Sequence, residues 1–363
     1  MRILNICGAR PNFMKIAPLM RAFRATPGID PVLVHTGQHY DHNMSELFFK
    51  QLEIPEPDIN LEVGSGSHAA QTAEIMIRFE KVVAQQKPDW VLVVGDVNST
   101  IACALVSVKL GVRVAHVEAG LRSFDRGMPE EINRVLTDAI SDLLFVTEPS
   151  GVENLRREGV PPERIHFTGN VMIDTLRAHL HRAQQSDVLA RLGLTEDGYC
   201  VVTLHRPSTV DDPAVFGGIL DAFEQIQRDA PIVFPMHPRT LANLERLGLA
   251  ARMKALRGVR VIEPQGYLDF LRLTSGAACV LTDSGGIQEE TTILGVWCLT
   301  LRENTERPVT ISHGTNRLVG VDPRAIVAAW RDCRGRKPDR GKVPELWDGS
   351  AAERIAAILA RQT

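Results

Sequence analysis

The sequence predicts an α/β protein made of two domains whose sheets face a cleft. Short apolar runs alternate with helical patterns along the whole chain, as in parallel sheets wrapped by helices. Polar or glycine residues stand at the carboxyl end of nearly every run, where open α/β sheets bind ligands. The length of 363 residues exceeds one typical core and suggests two domains, 1–170 and 171–363.

A net charge of −3 argues against nucleic-acid or membrane-surface partners. No apolar run approaches the roughly 18 residues of a membrane span, and Met1–Cys7 meets Gly8 too early for a signal peptide. A cytoplasmic protein is expected. Its six cysteines lack a C-x-x-C pair and mostly sit in apolar runs, which reads as reduced core residues.

The first strand, Arg2–Cys7, looks buried on both faces. A helix from near Pro11 to about Thr26 follows it and brings Arg10 and Lys15 to the strand's carboxyl end; the alternative is two solvated surface cations. The next strand carries His35 and the loop after it His39, Asp41 and His42, a group suggestive of metal. Their division between strand and loop departs from the usual zinc spacing, so a polar loop at the cleft rim is expected and no metal. Gly64-Ser65-Gly66-Ser67-His68-Ala69 matches a dinucleotide fingerprint but lacks the buried strand before it, so no NAD is expected either. A helix should run from Ala70 to about Gln86.

Strand Trp90–Val94 delivers Asp96 beside Gly95, and Val112–Val117 delivers Glu118 beside Gly120. The two-residue strand period puts His116 and Glu118 on one face. Asp96 and Ser99 would alternatively cap the next helix. Glu131 follows Pro129, a good first helical residue, and would alternatively serve only the helix dipole. That helix should reach about Ser141, ahead of strand Leu143–Val146.

The second half repeats the alternation. Strand Tyr199–Leu204 delivers His205 and Arg206, Ile232–Met236 delivers His237 and Arg239, and Val259–Ile262 leads to Gln265. Ala277–Leu281 runs into Thr282-Asp283-Ser284-Gly285-Gly286 and a helix rich in Gln and Glu. Ser284 suits the N-cap, and glycines let a ligand approach helical N–H groups that lack intrahelical partners, a site for phosphate. An ordinary strand-to-helix connection is the plainer reading. Strand Val296–Leu301 then delivers the charged loop Arg302–Pro308 to the same edge, and a final helix, Ala351–Leu359, would pack back on the first domain.

Taken together, Gly8-Ala9-Arg10-Pro11 with Lys15, Gly95-Asp96, His116-Val117-Glu118-Ala119-Gly120-Leu121-Arg122, Pro129-Glu130-Glu131 with Asn133-Arg134, Asp283–Glu290 and Thr305-Glu306-Arg307-Pro308 resemble the non-hydrolysing UDP-N-acetylglucosamine 2-epimerases. The resemblance spans nearly the whole chain. It implies the glycosyltransferase-B architecture of two Rossmann-like, doubly wound domains facing a cleft, cofactor-free isomerase activity on a UDP-sugar, a cytoplasmic homodimer and a place in cell-surface polysaccharide synthesis. It puts Arg10, Lys15, Arg206, His237, Gln265, Phe270, Ser284, Gly285, Gly286, Glu290 and Arg307 around the UDP-sugar, with Glu290 on the ribose and Phe270 at the uracil. Asp96, Glu118, Glu131 and His205 form the catalytic group it implies. The region of Gln38, His39 and Arg206 resembles an activating UDP-N-acetylglucosamine site of bacterial members. One departure is Leu204-His205-Arg206-Pro207-Ser208, where many members read Gly-His-Arg-Arg-Glu.

A glycosyltransferase of the same architecture would keep the Ser284–Glu290 site but have no use for three carboxylates in the first domain. A nucleotide-sugar sensor would tolerate losing Asp96 or Glu118, and both are present. Within the family, a 2-epimerase for a UDP-2,3-diacetamido sugar or its uronic acid is the nearest alternative.

Overall fold

In the computed structural model residues 1–37, 49–338 and 343–362 are described. Gln38, His39, Asp41 and His42 lie outside them, and so does the side chain of Arg10. The chain divides into two compact units, Met1–Ala178 with Glu345–Thr363, and His179–Pro344.

Among the described residues the first unit holds seven parallel strands: β1 Arg2–Cys7, β2 Asp30–His35, β3 Ile59–Asn60, β4 Trp90–Val94, β5 Arg113–Ala119, β6 Leu143–Val146 and β7 Ile165–Phe167. Their order is β3-β2-β1-β4-β5-β6-β7, so the sequence order reverses between β1 and β4. β1 and β4 are buried almost throughout because helices cover both faces. Helix α1, Arg10–Ala25, begins where the Asn12 side chain accepts from the N–H groups of Gly8 and Ala9, at 3.2 and 3.1 Å. Helix α2, His68–Gln86, is capped by the Ser67 hydroxyl, which accepts from the Ala70 N–H. Helices α3, Asn98–Lys109, and α4, Pro129–Ile140, lie beside it in turn.

One expectation fails in β5. Glu118 has φ +75° and sits at a register break between Val117 and Ala119, a bulge that interrupts the two-residue alternation. His116 therefore reaches Asp138 on α4, whereas Glu118 reaches Lys15 on α1.

Helices α5, Pro149–Arg157, and α6, Val171–Gln184, follow, and the unit boundary falls inside α6. The second unit holds six parallel strands: β8 Cys200–Thr203, β9 Ile232–Pro235, β10 Val259–Ile262, β11 Cys279–Thr282, β12 Trp297–Thr300 and β13 Asn316–Leu318, ordered β10-β9-β8-β11-β12-β13. Here the order reverses between β8 and β11. Helices α7 Pro213–Ile226, α8 Pro238–Arg246, α9 Tyr267–Ser275, α10 Gly285–Leu294 and α11 Pro323–Cys333 surround the sheet, and Phe216, Phe223, Phe234 and Trp330 fill one of its cores. Each fully buried aromatic of this kind contributes about 1.5–3 kcal/mol of transfer free energy.

The last helix, α12 Ala351–Leu359, packs on α1 with Ala352, Ile355, Ala356 and Leu359 buried. Asp174 of α6 caps it, accepting from the N–H groups of Ala351 at 3.2 Å and Ala352 at 2.7 Å. Trp347 is fully buried just before it and donates from Nε1 to the Thr147 carbonyl at 2.9 Å. All six cysteines are buried thiols. Among the described residues no helix is long and apolar enough to cross a membrane.

Candidate active site

In the first unit the chemistry gathers at the carboxyl ends of β1, β4 and β5, beside the order reversal. Gly95 turns at φ +68° after β4, and Lys15, Asn12 and Glu118 crowd the place where its side chain would be. A Cβ there would stand 2.7 Å from the Lys15 ammonium, so the turn has to be glycine. Lys15 and Glu118 form an ion pair with both side chains buried.

Asp96, next in the chain, is not the cap of α3: the N-cap residue is Val97, without a side-chain cap bond. Its carboxylate instead accepts from Arg134 Nη1 at 2.5 Å, and its carbonyl accepts from Asn133 Nδ2 at 2.8 Å. Arg134 also donates to Glu131, from Nε at 3.0 Å and Nη2 at 2.8 Å. Glu131 further accepts from the N–H groups of Ser123 and Phe124, at 3.0 and 2.9 Å. Burial alone would raise its pKa, but these donors and the Arg134 charge hold the carboxyl below its ordinary value. Glu131 thus does more than complement a helix dipole: it closes the Ser123–Phe124 loop over the start of α4. Glu118 and Asp96 border the glycine turn, Glu131 is joined to Asp96 through Arg134, and each of the three is set against a cation.

Below the turn, His116 is completely buried, with Nδ1 2.7 Å from Asp138 Oδ1 and Nε2 2.8 Å from the Gly95 carbonyl. Asp138 also accepts from Arg122 Nη1 at 2.7 Å and from the Gly120 N–H at 3.0 Å. Arg122 continues to Glu158 at 2.7 Å.

In the second unit α10 begins at Gly285 with Ser284 as N-cap, but the Ser284 hydroxyl makes no cap bond. Its N–H donates instead to Thr282 Oγ1 at 2.9 Å. Gln288, one turn into α10, ties the helix start to the neighbouring strand loop: its Nε2 donates to the Ser284 carbonyl, and its Oε1 accepts from Thr305 Oγ1 and Asn316 Nδ2. The loop then delivers Arg307, buried, with Nε 2.7 Å from Glu289 Oε1 and Nη1 2.5 Å from Glu306 Oε1. Glu306 also accepts from Arg302 Nη2 at 2.7 Å and lies 3.7 Å from Arg206 Nη2. Burial opposes its ionisation, yet the three guanidiniums hold its carboxyl far below the usual range. A Cβ on Gly285 would lie 2.5 Å from Arg307 Nη1, so glycine is needed for this close approach.

Asp283 is fully buried under the same edge and gathers the end of β8, accepting from the N–H groups of His205 and Arg206 at 3.0 and 2.9 Å and facing His205 Nδ1 at 3.0 Å. Burial would push its carboxyl up, but the His205 ring and the two N–H donors hold it below its ordinary value. The His205 side chain remains more than half exposed. Arg206 donates from Nε to the Asp283 carbonyl at 2.9 Å and caps a single helical turn, Pro207–Val210. His237 caps α8, its Nδ1 accepting from the Arg239 N–H. Gln265 donates to the Glu263 carbonyl at 2.7 Å, and Phe270 packs on a second core of the unit from α9. Glu290 is buried near Tyr267; burial and then the neighbouring Glu289 push its carboxyl up to about 8.

An electropositive helix start with Arg307 and Arg206 beside it fits an anion such as a phosphate. Paired carboxylates and cations around a tight turn fit proton transfer. Asp96, Glu118, Glu131 and Lys15 come together in the first unit; His205, Arg206, Ser284, Gly285 and Arg307 come together in the second. Sequence reasoning gave no role to Arg134, Asp138, Asp283, Gln288 or Glu306. Of these, Arg134, Asp283, Gln288 and Glu306 stand inside the motifs quoted above, and Asp138 lies two turns along the same helix as Glu130 and Glu131.

A family model described as UDP-N-acetylglucosamine 2-epimerase matches residues 21–360. The chain belongs to that family. It is 43% identical, over 99% of its own length and 99% of the relative's, to the UDP-N-acetylglucosamine 2-epimerase of Methanocaldococcus jannaschii. The crystal structure of that enzyme in complex with UDP-GlcNAc and UDP superposes with a TM-score of 0.93, covering 99% of this chain and 100% of that one. A UDP-2,3-diacetamido-2,3-dideoxy-D-glucuronate 2-epimerase of Pseudomonas aeruginosa is 42% identical over 99% of this chain and 100% of its own. Each unit has the Rossmann-like form of the glycosyltransferase-B class to which these epimerases conform.

Proposed function

We propose that the chain is a non-hydrolysing UDP-N-acetylglucosamine 2-epimerase, interconverting UDP-N-acetylglucosamine and UDP-N-acetylmannosamine through 2-acetamidoglucal. The observation that carries the reading is a set of three carboxylates in a chain of this family: Glu118 and Asp96 at the Gly95 turn, and Glu131 joined to Asp96 through Arg134.

The C2 proton of the sugar lies next to an acetamido group and not a ketone, so no enolate stabilises a carbanion. Elimination is the workable route. UDP leaves C1 as C2 is deprotonated; the glycal is then protonated on its other face and UDP adds back. The α10 start, Arg307 and Arg206 receive the growing pyrophosphate charge. Ser284, whose hydroxyl is not spent on a helix cap, and the first N–H groups of α10 take phosphate oxygens, while Glu290 receives the ribose and Phe270, Gln265 and His237 border the nucleotide. Arg10 and Lys15 add positive charge on the first unit. Asp96, Glu118 and Glu131 exchange the protons, and His205, fixed by Asp283, serves beside the phosphates.

The protein works in the cytoplasm as a homodimer, in the supply of cell-surface polysaccharide. Exposed Ile77 on α2, Val108 on α3 and Ile132, Val135 and Leu136 on α4 supply an apolar face on adjacent helices for the second copy. Activation by UDP-N-acetylglucosamine, suggested by Gln38, His39 and Arg206, is kept as part of the proposal.

Incubation of the purified protein with UDP-N-acetylglucosamine, followed by sugar-nucleotide chromatography, should yield the manno epimer without added NAD or metal. Dependence on NAD, or loss of activity with EDTA, would overturn the cofactor-free route. The Pseudomonas relative favours a second reading, epimerisation of a UDP-2,3-diacetamido uronate. Turnover of that sugar alone in the same panel would select it.

A further inference from the structure

We propose that His116 is a buried imidazolium that positions the Gly95–Asp96 turn, donating from Nδ1 to Asp138 and from Nε2 to the Gly95 carbonyl. A backbone carbonyl has no proton to give, so Nε2 carries one. Asp138 Oδ2 accepts from Arg122 and from the Gly120 N–H, and the buried guanidinium at 2.7 Å keeps Asp138 a carboxylate, so the proton shared with its Oδ1 is carried by Nδ1. The charges agree. Asp138 and Glu158 balance His116 and Arg122 in a chain of four ionised groups, whereas a neutral ring would leave that chain as a whole one negative charge in excess.

The ring ties three elements at one point. It stands on β5, holds the turn that ends β4, and binds α4 through Asp138. α4 in turn holds Asp96 twice, through Asn133 and Arg134. His116 itself lies beneath the turn, fully buried, and touches none of the three carboxylates assigned to proton transfer among its described bonds. Its effect on the reaction passes through the position of Asp96, and to that extent rests on the reading given above.

Nitrogen NMR of histidine-labelled wild-type protein at neutral pH tests the charge without reference to activity. One ring with both nitrogens protonated, assigned by its disappearance in His116→Gln, is expected; a bare nitrogen on that ring would overturn the proposal. In kinetics, His116→Gln should lower kcat about tenfold or more while KM and UDP affinity stay within about twofold. An unchanged kcat, or KM and UDP affinity falling along with kcat, would also overturn it. Should that variant fail to fold, assignment through Asp138→Asn, which perturbs the same ring, lets the wild-type spectrum decide. If the wild-type protein proves inactive on UDP-N-acetylglucosamine, the spectrum still reports on His116 and only the proposed activity fails.

Discussion

Asp96 and Glu131 are held by a single guanidinium, that of Arg134, at 2.5 Å and 2.8 Å. They belong to a strand end and to the first turn of a helix, and Arg134 fixes both directions at once. Its planar fork suits this task as an ammonium would not. Arg134→Lys should therefore keep the charge and lose the geometry. We expect kcat to fall about 10- to 100-fold with UDP affinity nearly unchanged, measured by steady-state kinetics and calorimetry.

The proposed function gives the second unit the ground-state contacts to UDP and the first unit the proton transfer. Asp96→Asn and Glu131→Gln should mainly lower turnover, and UDP should still bind. Glu290→Ala and Arg307→Ala should mainly weaken UDP. Loss of UDP binding in Asp96→Asn would contradict this division.

Gly285→Ala gives a narrower probe. Its methyl group would meet Arg307 Nη1 and Glu306 Oε1, both within 2.6 Å, and would push the guanidinium out of place. UDP affinity should fall about tenfold, a cost of about 1.4 kcal/mol, while circular dichroism stays native.

Turnover in heavy water should place deuterium at C2 of the product, and long incubation should release a little UDP and 2-acetamidoglucal. A base that removes the proton from one face cannot return it on the other, so the new hydrogen comes from solvent. Mass spectrometry showing retention of the original hydrogen through inversion would end the elimination mechanism.

Glu290 links stability to pH. Its folded value, about 8, lies above its ordinary value of 4.5, so between these limits the folded protein binds the proton more tightly than the unfolded chain. Its contribution to stability therefore declines as pH rises through that window and is level above it. Glu290→Gln should flatten the decline and melt higher than the parent at about pH 9, as seen by thermal unfolding.

Strand ends were legible in the sequence because a buried parallel strand is a run of apolar residues that stops where the chain turns at the sheet edge. Trp90–Val94 is legible to its limits, and Asp96, Glu118, Ser284 and Arg307 follow from it and its equivalents. What failed was local geometry. The two-residue rule put His116 and Glu118 together, but a bulge costs the sequence only one residue with positive φ, and Glu118 is not glycine or asparagine. Side-chain cap bonds are equally hard to read: Ser284 does take the N-cap position but makes no cap bond, and Asp96, for which capping is the alternative reading, is not a cap at all. Asp96 and Ser284 are good cap residues by type, but each has a competing use, an arginine in one case and an open helix start in the other. Partners far apart in sequence, such as Lys15 with Glu118 or Arg134 with Asp96, have no periodic signature.

The return of α12 to the first unit gives the chain a nested order of synthesis. The second unit is one uninterrupted stretch, His179–Pro344, while the first is assembled from both sides of it. On the ribosome, the second sheet can close as soon as it emerges, but α1 stays without its cover until Ala351–Leu359 is made. The first unit is thus finished after the second, and a chain truncated after Pro344 would hold every residue of the second unit but leave the apolar side of α1 open to chaperones.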